Sequence, residues 1–226
     1  MPNSVQILQK YWTEHPAWFG GSYGEYLHLG GNQQMLRLLL RDLPVGAATR
    51  VIDLSCALGG NARWLAALFG CSVEGVDSFR PALQAAKELA KAQGLTELCK
   101  FTVGKPEQLP HPDKTFDLAV TAEGEVHWPE VFRVLKPGGT VIGSTVVVGD
   151  RAELFAEIES VGFEIAHHQD VTDYAKAFYR CKEEEAKLLV EGSLMSEADM
   201  HSLQMHTIDL YEAGSAAHIL FRFRRP

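Results

Sequence analysis

The stretch that decides the fold is Arg50-Val-Ile-Asp-Leu-Ser-Cys-Ala-Leu-Gly-Gly-Asn-Ala-Arg-Trp-Leu-Ala66. Its apolar run at 51–54 predicts a buried strand, and an apolar stripe of Trp64, Leu65 and Leu68 predicts a helix after it. The residues between them are nearly all small, namely Ser55, Cys56, Ala57, Gly59 and Gly60. Such a turn lets a ligand press against the backbone at a helix N-terminus, so we expect a ligand site here.

Two acidic residues close neighbouring strands. Asp53 lies at the end of the first strand, and Asp77 ends the second short strand, Val73-Glu-Gly-Val-Asp77. Acids in these positions beside a small-residue turn predict a pocket for a nucleoside that can itself be cationic. The alternative for Asp53 is a helix-capping or solvated acid.

Strands and helices alternate along the chain, which predicts right-handed crossovers and a doubly wound parallel sheet. The predicted strands are 50–54, 72–77, 99–103, 116–121, 139–148, 163–170 and a closing strand at 217–224. The predicted helices are 3–14, 60–69, 79–93, 127–135, 151–161, 174–191 and 197–213, and one that Asn32 caps and that runs to about Leu43. Pro137-Gly138-Gly139 is expected to end a helix and turn the chain into the fifth strand. The fold class is α/β.

Composition fits one domain and excludes several classes of protein. The chain has 226 residues, 46% of them hydrophobic, and a formal charge of −8. That charge argues against nonspecific nucleic-acid binding, and no apolar run approaches the ~20 residues that a membrane span needs. The start shows no signal peptide, and the four cysteines have no metal-ligand spacing. We expect a cytoplasmic protein whose cysteines are free thiols. We expect no metal site and no membrane partner.

Four segments, in order, resemble the class I S-adenosylmethionine-dependent methyltransferases. Residues 51–60 resemble the glycine-rich first motif, and 73–79 the acid-ended second strand. Residues 103–110 with 116–120 resemble the adenine-side loop and fourth strand, and Arg133-Val-Leu-Lys-Pro-Gly-Gly139 the turn into the fifth strand. The resemblance implies a Rossmann-like seven-stranded sheet whose last strand is antiparallel, with S-adenosylmethionine as cofactor.

The resemblance also implies the cofactor contacts. Asp53 would neutralise the cofactor's ammonium, Asp77 would accept the ribose hydroxyls, and Phe79 would lie against the adenine unless it is a core aromatic. The full predicted set is Asp53, Ser55, Ala57, Gly59, Asp77, Ser78, Phe79, Lys105, Pro106, Glu107 and Glu123.

Three positions depart from the family pattern. Ser55 and Ala57 stand where the first motif usually has glycine, and Lys105 stands where the adenine loop usually has an acid. Because an ammonium donates and cannot accept, the adenine amino group needs a backbone group or Glu107 instead.

Gly24-Glu-Tyr-Leu-His-Leu-Gly-Gly31 resembles the branch of the family that methylates small amines, such as glycine-sarcosine, dimethylglycine and phosphoethanolamine methyltransferases. This resemblance implies that Tyr26 and His127 latch the active site and orient or deprotonate the nucleophile, with Glu123 beside them. Glu123 and His127 are spaced i, i+4 and share a face if the segment is helical. The alternative for His127 is a helix-start histidine packed on the rim.

Aromatic residues near this site allow two readings. Tyr23, His28, Trp18 and Trp128 could form a wall that attracts a substrate amine, or could pack the N-terminal loop on the domain.

We expect a single domain over 1–226, in which 46–150 holds the cofactor. Residues 1–45 and the helices 174–213, within the C-terminal half 151–226, would form the substrate side. The expected activity is methyl transfer to a small molecule, with nitrogen as favoured acceptor. The alternatives are a nicotinamide-dependent oxidoreductase, since Ser55, Ala57 and Gly60 have the dinucleotide spacing, and a noncatalytic partner subunit. The sequence leaves the oligomeric state open.

Overall fold

The computed structural model describes residues 33–122, 126–180 and 208–226. Its strands are β1 (Arg50–Leu54), β2 (Ser72–Asp77), β3 (Cys99–Val103), β4 (Phe116–Ala122), β5 (Leu135–Val148), β6 (Glu164–Asp170) and β7 (Ala216–Arg224). Its helices are α1 (Gln33–Leu40), α2 (Gly60–Phe69), α3 (Arg80–Ala92), α4 (Trp128–Val134) and α5 (Arg151–Val161), with further helical residues at 172–180 and 208–212. The predicted helix 3–14, Asn32, and most of 174–191 and 197–213 lie outside the described residues.

The strands form one seven-stranded sheet in the order β3-β2-β1-β4-β5-β7-β6. The pairs among β1 to β5 are parallel, and β7 runs antiparallel to both β5 and β6. This topology confirms the predicted doubly wound sheet with an antiparallel last strand. The strand order reverses between β1 and β4, and ligands of such sheets bind at the carboxyl ends beside that point.

Each face of the sheet has its own core. Leu36 of α1, Leu65 of α2 and Ala86 of α3 belong to one buried cluster. Val131 of α4 and Ile158 of α5 belong to the other. Helices on both faces explain why the parallel strands are apolar along most of their length. None of the described helices combines the length and the apolar character that crossing a membrane requires.

The structure excludes one of the two interpretations of Trp128 and shows that the expected burial of Leu68 is wrong. Trp128 is only 6% exposed and contacts Phe163, Phe221 and Phe223 edge to face, so it belongs to the core and not to an aromatic wall. Leu68 is 45% exposed, because α2 buries the stripe of Ala62, Leu65 and Ala66 instead.

The fifth strand also begins earlier than predicted. β5 starts at Leu135 directly after α4, so Pro137-Gly138-Gly139 lies within the strand and not before it. The pairing of β4 with β5 shifts register between Phe116 and Leu118, opposite this segment. The irregularity accommodates a proline and a left-handed Gly138 (φ 80°) inside one strand.

Gly59 is required by packing against β3. It has φ 69°, and a Cβ atom there would lie 2.4 Å from Cε1 of Phe101, a core residue. The space that Gly59 leaves empty therefore faces the core, and any contact with a ligand has to come from its backbone.

Gly59→Ala is expected to lower the free energy of unfolding by about 2–3 kcal/mol, since overpacking adds to the strain of a left-handed alanine. Gly94→Ala is the matched control, because Gly94 has φ 71° but no atom of the described part of the chain lies within 4 Å of its added Cβ. We expect the control to lose only about 1 kcal/mol. Equal losses in urea denaturation would show that Phe101 is not an obstacle.

Candidate functional site

The small-residue turn lies across the carboxyl ends of β1 and β2. The Cys56 amide donates to the carbonyl of Val76 in β2 (3.1 Å), and the Gly59 amide donates to the carbonyl of Cys56 (2.7 Å). The turn is therefore held by its own backbone and by β2 before α2 begins at Gly60. This arrangement places amides of the turn at the edge of the sheet where the sequence predicts a ligand.

Asp77 ties this turn to the start of α3. Its Oδ2 accepts the Ala57 amide (2.9 Å), and its Oδ1 accepts the Phe79 amide (2.8 Å). The side chain is only half-buried, and each carboxylate oxygen has a second lone pair. Asp77 therefore keeps acceptor capacity for hydroxyl groups after both amides are bound.

Asp53 lies beneath the turn and is only 1% exposed. Its Oδ2 accepts the Ala62 amide (3.1 Å) in the first turn of α2, as the helix-capping alternative required. Burial raises the pKa of Asp53 to about 7, the Ala62 hydrogen bond opposes that rise, and the charge of Asp77 adds to it. A neighbouring cation would favour the ionised form, so capping α2 and receiving a cationic ligand are compatible roles.

The turn uses left-handed backbone at three alternate residues. Ser55 has φ 54°, Ala57 has φ 46° and Gly59 has φ 69°. Two of these three positions thus hold residues whose Cβ disfavours this conformation. The family pattern of glycines has a direct physical reason here, and this chain keeps the conformation with serine and alanine in their place.

Ala57→Gly is expected to raise the melting temperature by a few degrees, since it relieves strain of about 1 kcal/mol. It removes no side-chain contact of Asp77, which binds the Ala57 backbone amide. The control is Ala67→Gly on the exposed face of α2, where glycine should cost about 1 kcal/mol. If both variants melt lower than wild type in calorimetry, the strain at Ala57 is negligible.

The adenine-side segment reaches the same edge of the sheet. The Gly104 amide donates to the carbonyl of Asp77 (3.1 Å), and the Gln108 amide donates to that of Lys105 (3.1 Å). Ser78, Lys105 and Glu107 are exposed, whereas Phe79 and Pro106 are partly buried. The structure therefore gathers the predicted cofactor residues 53–59, 77–79 and 105–107 at one end of the sheet.

The predicted catalytic set is only partly within the described residues. Tyr26 and Glu123 lie outside them. His127 is exposed directly before α4, and its carbonyl accepts the amides of Glu130 (3.0 Å) and Val131 (3.2 Å). The proposed pairing of Tyr26 with His127 thus stays a prediction.

Glu130 and Arg133 of α4 position the adenine-side segment, a role that sequence reasoning missed. Glu130 Oε2 accepts the Leu109 amide (2.8 Å), while Arg133 donates to Glu130 (2.7 Å) and to the carbonyl of Leu109 (3.2 Å). The hydrogen bond from Arg133 is the largest cause of a lowered Glu130 pKa. The i, i+3 spacing was visible in the sequence, but its target, Leu109, was not.

The fold and this site together define the class I methyltransferase architecture. Residues 51–139 match the family model described as "Methyltransferase domain". That match covers the first motif, the second strand and the turn into β5, and it confirms the resemblance stated from the sequence. Residues 51–139 thus match a methyltransferase domain within a chain that has the class I methyltransferase fold.

Curated relatives have different stated activities. The chain is 32% identical over 123 residues to Methyltransferase GfsG of Streptomyces halstedii, covering 51% of this chain and 44% of the relative. It is 30% identical over 172 residues to a glycine/sarcosine/dimethylglycine N-methyltransferase of Actinopolyspora halophila, covering 67% of this chain and 30% of the relative. It is 30% identical over 158 residues to sterol 24-C-methyltransferase erg-4 of Neurospora crassa, covering 55% of this chain and 42% of the relative. The chain spans less than half the length of each.

Solved structures share the fold. The [4+2]-cyclase SpnF superposes with a TM-score of 0.80 at 21% identity, covering 100% of this chain and 97% of that one. A Haemonchus contortus phosphoethanolamine N-methyltransferase 2, solved with S-adenosylhomocysteine, superposes with a TM-score of 0.79 at 19% identity. The match covers 100% of this chain and 61% of that one. These similarities establish the architecture, and the activity has to be argued from the site.

Proposed function

We propose that this chain binds S-adenosylmethionine and transfers its methyl group to a small molecule. The observation that carries the proposal is the half-buried Asp77 carboxylate, fixed by two amides at the carboxyl end of β2. A carboxylate in this position can accept a pair of ribose hydroxyls. Buried Asp53 beneath the neighbouring turn supplies a negative charge for the cofactor's ammonium.

Methyl transfer requires few catalytic groups beyond those that bind the cofactor. Methyl transfer is an in-line displacement in which the leaving group departs as a neutral thioether, so no acid is needed. The residues have to align the nucleophile with the methyl group and, where the nucleophile carries a proton, accept that proton. We assign this second task to His127 with Tyr26, and Glu123 to their support. Residues 1–45 and 174–213 would enclose the substrate.

We favour nitrogen as the acceptor atom. The support is the likeness of residues 24–31 to the amine-methylating branch and the N-methyltransferase among the relatives. The sterol relative is named for transfer to carbon. Similarity to the family therefore does not by itself determine the acceptor atom.

Calorimetric titration with S-adenosylhomocysteine tests the cofactor. Saturable one-to-one binding supports the proposal, and binding of NAD or NADP instead would favour the oxidoreductase alternative. A screen of small amines, thiols and phenols, read by release of S-adenosylhomocysteine, then identifies the acceptor. His127→Ala should abolish most of the turnover, while His167→Ala, an exposed histidine on β6, should not.

One observation favours a second candidate, a noncatalytic subunit that keeps the fold. Ser55 and Ala57 are strained where glycine is usual, and Lys105 replaces an acid. The same titration decides between the two, because absence of cofactor binding by the folded protein would favour the subunit.

A further inference from the structure

A second cleft lies at the opposite end of the sheet from the candidate cofactor site. It has a volume of about 660 Å³ and opens at the amino ends of β4 and β5, beside the loop that follows α1. Asp117, at the start of β4, and Lys136, near the start of β5, line it. This volume lies within the range of about 300–1,000 Å³ that is typical of small-molecule sites.

The charge of this amino-end cleft contrasts with that of the chain. Among the described residues that line it, Lys136, Arg222 and Arg224 are cationic and Asp117 is the single acid. The whole chain carries a formal charge of −8. A local excess of positive charge favours an anionic ligand at this place.

Asp117 does not cancel this excess. Its Oδ1 accepts Lys136 Nζ (2.7 Å), and its Oδ2 accepts the Arg50 amide (2.8 Å). Both carboxylate oxygens are therefore engaged, and the charge of Asp117 is already met by the cations Lys136 and Arg50. Arg222 and Arg224 remain to be balanced by other groups.

Arg222 has neutral partners. Its Nη2 donates to the carbonyls of Leu39 (2.7 Å) and Arg41 (2.8 Å) at the end of α1. Its Nε is buried and has no hydrogen-bond partner among the residues that the structure describes. A buried guanidinium N–H without an acceptor is costly, and a bound anion would supply one after a small shift of the side chain.

Arg224 is the accessible cation of the cleft. Its side chain is 56% exposed, and its ion-pair contact to Glu164 is long, at 3.8 Å. Such an exposed pair contributes little and is easily exchanged for another anion. Arg222 and Arg224 lie two residues apart on β7, so both side chains point to the same face of the sheet.

The rest of the lining is largely apolar. Leu43, Val45, Leu118, Pro137 and Ala166 contribute carbon surface around these charges. Apolar walls with a few convergent polar groups are the usual composition of a site for an organic ligand. We propose that the amino-end cleft binds an amphipathic anion, a carboxylate or phosphate attached to an apolar body, with the anionic group on Arg222 and Arg224.

Titration with octanoate, below its micelle concentration and with octylammonium as charge-reversed control, tests this site. Ligand-observed NMR on the full chain should show saturable octanoate binding in the millimolar range and none for octylammonium. Arg224→Gln should weaken octanoate binding about threefold to tenfold and Arg222→Gln by tenfold or more. Arg180→Gln, an exposed arginine outside the cleft, should leave it unchanged.

A blocking variant guards against loss of folding in Arg222→Gln. Ala166 is exposed on β6 and lines the cleft, so Ala166→Phe should fill it and abolish octanoate binding while the thermal unfolding midpoint stays close to that of wild type. Octanoate binding of wild-type strength by Ala166→Phe, equal binding of octylammonium, or no saturable binding at all would each overturn the proposal. None of these results depends on whether the chain binds the methyl-donor cofactor.

Discussion

Asp77→Ala is expected to weaken S-adenosylhomocysteine binding tenfold to more than a hundredfold. The variant removes the acceptor proposed for the ribose hydroxyls, and a hydrogen bond to a charged group contributes on the order of 1.5–3 kcal/mol. It also removes the acceptor of the Ala57 and Phe79 amides, so the turn loses a tie to β2. Both effects lower the affinity, and isothermal calorimetry measures their sum.

Asp170→Ala is the matched control for Asp77→Ala. Asp170 ends β6, and its Oδ1 accepts the amide of Thr172 two residues later (2.9 Å), as Asp77 does for Phe79. It lies outside the candidate cofactor site, so its loss should change stability without changing affinity. If Asp77→Ala remains folded and binds S-adenosylhomocysteine like wild type, the ribose assignment is wrong.

Local sequence patterns were sufficient for most of the fold. β1, β2, β3, α2 and α5 begin and end where the sequence predicts them. In β1, β2 and α2 an apolar run is bounded by small or turn-forming residues, and α5 is bounded by the capping residue Asp150 and by Gly162, so these boundaries depend on near neighbours alone. The doubly wound parallel sheet followed from the alternation of strands and helices, and the seven strands with an antiparallel last one followed from the family resemblance.

The incorrect and undecided predictions concern features that depend on residues distant in the sequence. Trp128 is buried because Phe221 and Phe223 of β7, more than ninety residues later, pack around it. β5 begins at Leu135 because the register shift opposite Phe116 admits Pro137 into a strand. Neither partner can be read from the local pattern.

At the candidate site, too, the local sequence identifies some features and distant contacts determine the others. Asp53 and Asp77 are recognisable because each closes an apolar strand beside a small-residue turn. Their environments are not, since the burial of Asp53 and the Ala57 amide on Asp77 arise from the way the turn folds back over β2. The sequence thus located the acids, and only the structure explains the raised pKa of Asp53 and the contacts of both side chains.

The burial of Asp53 predicts how stability changes with pH. Its pKa is raised from an ordinary 3.8 to about 7, so between these values the native state holds a proton that the unfolded chain has released. The free energy of unfolding should therefore fall as pH rises from about 4 to about 7, and by about 4 kcal/mol over that interval from this group alone. Asp53→Asn should remove this dependence, because the amide oxygen can still accept the Ala62 amide but does not titrate.

The same pKa predicts that cofactor affinity rises with pH. The ammonium of S-adenosylhomocysteine is attracted by ionised Asp53 and not by its neutral form, so binding has to expel the proton. Below pH 7 the affinity should increase by about tenfold per pH unit and level off above it, amounting to about a hundredfold between pH 5 and pH 8. Calorimetry in buffers of different ionisation enthalpy should detect proton release near pH 7. Asp53→Asn should bind weakly at every pH, and a wild-type affinity that does not change between pH 5 and pH 8 would exclude Asp53 as the partner of the ammonium.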